Sequence, residues 1–212
     1  MSIYYYKNHK SREVLYLTWF LGITIFVETI SSYSFLLDDL SFLSRLKGTN
    51  FENNYWIYNI YMIVSYLFYG SFFKWYLKSN KAIKILDILS VVYVIGSILY
   101  LIINEGFFEG YSLFTLLVGT ILVLLSLFYY YYEIIKNDSL LNIKKSVPFY
   151  VSLGALFFHL FTTPVLIYSI YYRQSFNPEF DTVFKIVLYG SNLILYFSFI
   201  LGFIICSKKK KI

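Results

Sequence analysis

Charge is scarce in this chain: Asp, Glu, Lys and Arg together make up only 14% of its 212 residues. A soluble globular domain carries about a quarter, so the soluble class is excluded first. There is one cysteine, Cys206. That rules out an intrachain disulfide and any multi-cysteine metal or cluster site. The two histidines are His9, in a charged N-terminal stretch, and His159, so a bis-histidine haem within one chain is excluded. Every lysine falls at the end of an apolar run, where no retinal Schiff base forms. No H-E-x-x-H, Walker loop, G-x-S-x-G or G-x-G-x-x-G occurs. No arginine is followed within six residues by a histidine, as RNA-cleaving helical nucleases would require. The inventory predicts a non-enzymatic protein with no metal site and no cofactor.

What the chain does hold is apolar and aromatic: 58% hydrophobic residues, 23% Phe, Trp or Tyr. A membrane-crossing helix needs roughly 20 residues of low polarity, and six such stretches use up the length. The predicted fold is all-α, a polytopic bundle in one membrane domain spanning residues 1–212. The spans are placed at 14–36, 55–77, 82–103, 111–135, 147–171 and 184–206. Met1 to Arg12 is too charged for a cleaved signal peptide, so the first span serves as an uncleaved insertion signal. Fourteen of the 18 basic residues lie in the N-terminus, the connections between spans two and three and between four and five, and the tail. Basic connections stay in the cytoplasm, so both termini are expected there. The inner bacterial membrane is the expected location.

Polar groups recur at one depth. With a rise of about 1.5 Å per residue, Glu28 lies roughly 21 Å and His159 roughly 18 Å from the cytoplasmic edge. Ser65, Thr120 and Asn192 fall in the same layer. Ionisable groups at such depth are costly and usually face a bundle interior, pair, or line a solute path. One expectation is therefore an ion or proton channel or transporter using this layer. The plainer one puts Glu28 near the outer interface and lets His159 bond a neighbouring helix. Pro164, five residues after His159, removes a backbone donor and is expected to kink the fifth span. The tyrosines at the ends of span two and the run Tyr129 to Tyr132 read as aromatic belts at the headgroups.

The basic cytoplasmic face comprises Lys74, Lys78, Lys81, Lys84, Lys144, Lys145 and the tail residues Lys208, Lys209, Lys210 and Lys211. It is expected to meet anionic lipid or a cytosolic protein partner, and not nucleic acid. A homo-oligomer is expected.

Four stretches carry a resemblance: YNIYMIVSYLFYGSFFKWYLKS (Tyr58 to Ser79), LFYYYYEIIKN (Leu127 to Asn137), VPFYVSLGALFF (Val147 to Phe158) and NLILYFSFILGFIIC (Asn192 to Cys206). In them the chain resembles a family of small six- or seven-span membrane proteins of the Bacteroidota, to which no activity is assigned. It departs from that family in carrying Ser65 where a glutamate is frequent and Tyr150 where a tryptophan is. It also resembles small membrane accessories encoded beside CRISPR-type, RNA-guided defence effectors. That resemblance implies a membrane effector or regulator, an accessory of a bacterial defence system working with a cytosolic partner.

Overall fold

The computed structural model describes residues 1–9, 11–103, 107–136, 143–171 and 178–207. Within them the chain forms seven α-helices and no strand: α1 (Ser2–His9), α2 (Arg12–Ser31), α3 (Tyr55–Lys74), α4 (Asn80–Ile103), α5 (Leu113–Lys136), α6 (Val147–Tyr171) and α7 (Pro178–Ser207). Five of these, α2, α4, α5, α6 and α7, are long and apolar enough to cross a membrane. The architecture is thus an all-helical bundle of the integral membrane type.

Local chemistry sets the ends. Ser11 caps α2, its hydroxyl accepting from the Val14 N–H at 3.3 Å. At the other end Ser31, Ser32 and Ser34 donate back to the carbonyls of Glu28, Thr29 and Ser31. Such bonds compete with the helical ladder, and the chain tightens into a 3-10 turn over Ser32–Phe35. The last helix begins at Pro178, six residues before the expected 184. Proline fits the first helical position because its missing N–H has no partner there. Glu179 and Asp181 then favour the positive helix start, and Lys185 Nζ bonds Asp181 Oδ2 at 2.7 Å.

α3 is the centre. It packs along α5 and against α2 and α4, while α6 and α7 form the most extensive helix pair and reach the rest chiefly through α5. Glycines bring that pair together: a Cβ on Gly154 would meet Ser198 Oγ at 2.1 Å and the Leu195 carbonyl at 3.1 Å, and one on Gly202 would meet the Tyr150 Cβ at 2.8 Å. Small residues allow this approach where lipid offers no hydrophobic drive between helices.

Position in the bundle also accounts for α3 not being one of the five apolar helices. It carries Asn59 and five tyrosines. Tyr66, Phe68, Tyr69, Phe72 and Phe73 are buried against protein. A helix surrounded by other helices can be polar where its neighbours supply partners. α4, at the periphery, turns Ile88, Val91, Val92, Ile95, Ile98, Leu99 and Ile102 outward. Of the α3 tyrosines, Tyr66 and Tyr69 are interior, whereas Tyr55, Tyr58 and Tyr61 toward its start are partly exposed. In the run at the end of α5, Tyr130 is buried and Tyr132 exposed.

The N-terminal segment, read from the sequence as a charged tail, forms α1. Its Tyr5 ring lies 5.6 Å from that of Phe203 on α7. Burial, with a smaller contribution from nearby Cys206, raises the Tyr5 phenol above its ordinary pKa.

Candidate functional site

The space between α3 and the α6–α7 pair is filled by rings. The backbones of α3 and of α6 or α7 do not pack closely, and long aromatic side chains with polar tips bridge the gap.

At the end where α2 terminates, Tyr58 donates to the Glu28 carboxylate at 3.0 Å and lies 3.0 Å from the Ser31 hydroxyl. One turn deeper, the Tyr61 hydroxyl meets Thr24 Oγ1 at 2.8 Å, with Ser65 beside it. Tyr196 of α7 is half-buried and within electrostatic reach of Glu28, Tyr58, Tyr61 and Tyr69. Glu28 itself is exposed on α2. A carboxylate thus stands at the exposed end of a row of phenols.

The inner end of that row is His159. Its ring sits 5.0 Å from Tyr66 and 5.6 Å, edge to face, from Tyr69. It is 3% exposed, and Nε2 is buried with no hydrogen-bond partner. An unpaired polar atom in such a place costs about 1–3 kcal/mol. Tyr66 continues the network sideways: its hydroxyl is 3.4 Å from Thr120 Oγ1, which lies 3.1 Å from Thr163 Oγ1 on α6. Gly119 makes room for the Tyr66 ring, which a Cβ there would meet at 2.4 Å.

Of the five polar residues placed at one depth by the sequence, Glu28 and Ser65 border the Tyr58 and Tyr61 end, and Thr120 and His159 border Tyr66. The phenols of α3 stand between Glu28 and His159. Asn192 is half-buried on α7, and among the described residues no hydrogen bond joins it to the other four. α6 runs unbroken through Pro164. Thr162 Oγ1 caps the Phe158 carbonyl at 2.7 Å just before it. Toward the lysine-rich end the interior is closed by Phe68, Phe72, Phe73, Leu127 and Tyr130, with Phe20 stacked on Phe68 at 3.8 Å.

Three polar residues passed over in the sequence prove important. Tyr61 and Tyr196 were hidden among 24 tyrosines. Glu133, inside a tyrosine run, is buried and accepts from the backbone N–H groups of Ser79 at 2.9 Å and Lys78 at 3.3 Å. It ties the end of α5 to the start of α4 and so gathers the basic residues at one end. There Lys78, Lys81, Lys84, Lys144 and Lys145 are exposed, while Lys74 pairs with Asp87. The tail lysines 208–211 lie outside the described residues. Among the described residues no group of histidine, cysteine and carboxylate side chains is arranged to hold a metal ion.

No family model, curated protein or solved structure matches this chain. The functional reading rests on the geometry.

Proposed function

We propose that the chain crosses a bacterial inner membrane six times, α3 included, with both termini cytoplasmic. In this reading it is a non-enzymatic carrier or channel for protons or small cations using the Glu28 to His159 layer. The observation that carries this is the unpartnered Nε2 of His159 at the inner end of a row of phenols whose exposed end holds a carboxylate. Hydroxyl-bearing rings pass protons by rotation, and a carboxylate attracts cations.

The packing supports a moving part. The α6–α7 pair is held together by close backbone approach, but it meets α3 only through side chains. Rings sliding past one another is the expected route by which the aromatic closure at the lysine-rich end opens. The test is pH-gradient dissipation in proteoliposomes carrying a trapped pH dye. Wild-type protein is expected to dissipate the gradient, and Glu28→Gln and His159→Ala to abolish this with unchanged size-exclusion profiles. Flux that survives both substitutions overturns the reading.

A second reading is favoured by the exposed Lys78, Lys81, Lys84, Lys144 and Lys145 at one end of the bundle. Here the protein is a membrane effector or regulator, of the defence-accessory kind its resemblance implies, meeting anionic lipid or a cytosolic partner. Absence of flux, with loss of a cellular phenotype on neutralising these lysines, selects it.

A further inference from the structure

Large apolar side chains along the helices face lipid by position, but a further exposed set begins at the last residue of one apolar helix and runs on into the connection to α3. Phe35 is 79% and Phe42 66% exposed, and Leu36 and Leu40 are exposed with them. This segment starts where the apolar helix of residues 12–35 ends. We propose that residues 35–46 form an interfacial anchor, with Phe35, Leu36, Leu40 and Phe42 set into the boundary between headgroups and acyl chains.

Three features fit that surface. The first is backbone satisfaction, which a lipid boundary demands. Leu40 N–H bonds the Leu36 carbonyl at 3.0 Å, Leu43 that of Leu40 at 2.9 Å, Ser44 that of Leu40 at 3.1 Å and Leu46 that of Leu43 at 2.9 Å. The second is mixed chemistry: Asp38 pairs with Lys47 and keeps a largely exposed side chain, and Asp39 and Arg45 are exposed in the same segment, so it offers charge to headgroups as well as rings to acyl chains. The third is a fixed height. Leu37 is buried beneath the segment. The Tyr33 hydroxyl donates its one proton to the Phe51 carbonyl at 2.6 Å, with the Asn53 carbonyl also within reach at 3.0 Å, and accepts from Trp56 Nε1 at 3.1 Å. These ties lock the segment to the start of α3. Aromatic rings at this level hold a helix end at constant depth, and Phe35, which closes the 3-10 turn following α2, lies about two turns beyond Glu28. The anchor therefore sets the depth of the carboxylate.

Site-directed spin labelling tests this in phosphatidylcholine and phosphatidylglycerol vesicles. The protein's single cysteine is first replaced (Cys206→Ser), and labels are placed by Phe35→Cys, Phe42→Cys and Asp38→Cys. The expected result is that the labels at 35 and 42 collide more with oxygen than with a water-soluble nickel chelate, and the label at 38 the reverse. Equal nickel access at 38 and 42 overturns the anchor. Shielding of 35 and 42 from both relaxants, with dipolar broadening, assigns the surface to a second copy of the chain and also overturns it. An Ile95→Cys label on the outward face of α4 must be oxygen-accessible in the same vesicles. Its failure would count against the membrane placement of the bundle, not against the anchor alone.

Discussion

Asn59 on α3 and His159 on α6 are both enclosed polar side chains, and their surroundings separate them. Asn59 is 0% exposed, and both ends of its amide group are bonded. Nδ2 donates to the carbonyls of Phe107 at 2.9 Å and Gly110 at 2.8 Å, and Oδ1 accepts from Ser112 N–H at 2.9 Å. It clamps the entry to α5 and has no donor left for a ligand. Truncation strands three backbone groups, so Asn59→Ala is expected to cost about 2 kcal/mol and to lower the melting temperature by several degrees, read by thermal unfolding in detergent. An unchanged melting temperature would show that water or relaxation replaces the clamp. His159 is the opposite case, buried with Nε2 unspent. If that cost is tolerated for function, His159→Phe, which keeps the ring packing between Tyr66 and Tyr69, is expected to leave stability equal or raised by about 1 kcal/mol while abolishing flux. A clear loss of stability would mark the histidine as structural.

At the scale of elements, the α6–α7 pair behaves as a unit because glycine lets the helices touch. Gly154→Ala puts a methyl 2.1 Å from Ser198 Oγ and 3.1 Å from a backbone carbonyl. The hydroxyl can rotate away, but the carbonyl cannot. A destabilisation of about 1–3 kcal/mol is expected, as for overpacked cores, and adding Ser198→Ala should restore part of it. Full recovery in the double variant would mean that the side chain alone sets the spacing. No recovery would place the cost on the backbone. The same helices show how local composition reads the interior only in part. α4 and α5 announce themselves as apolar runs, whereas α3 is diluted by tyrosines whose hydroxyls find Glu28, Thr24 and Thr120 on other helices. α1, short and charged, is held through Tyr5 against Phe203, a contact no local pattern encodes.

For the molecule as a whole, charge is the organising quantity. The connection holding Lys78 and Lys81 and the one holding Lys144 and Lys145 belong to one end of the bundle, and Glu133 joins them by bonding the start of α4. In the proposed six-crossing arrangement, basic connections are retained on the inner side, which puts that end in the cytoplasm. In a Cys206→Ser background, Ser79→Cys and Lys144→Cys are expected to react with an impermeant maleimide only in inverted vesicles, and Asp38→Cys only in intact cells. Reaction of Ser79→Cys and Asp38→Cys from the same side would leave α3 outside the membrane and refute the six-span arrangement.

The residues by themselves determined the class of the protein and, to within a few residues, most helix ends, because both follow from runs of apolar side chains; the start of α7 at Pro178, six residues before the expected 184, is the exception. A constant rise per residue also yields the expectation that Glu28, Ser65, Thr120, His159 and Asn192 share one depth. Which phenols stand between Glu28 and His159, that Asn59 is satisfied while His159 is not, and that Glu133 faces a helix start were decided only by the tertiary structure. Rotation of each helix about its axis sets those partners, and in an apolar helix with tyrosines on several faces the sequence leaves that angle open until neighbouring helices pack.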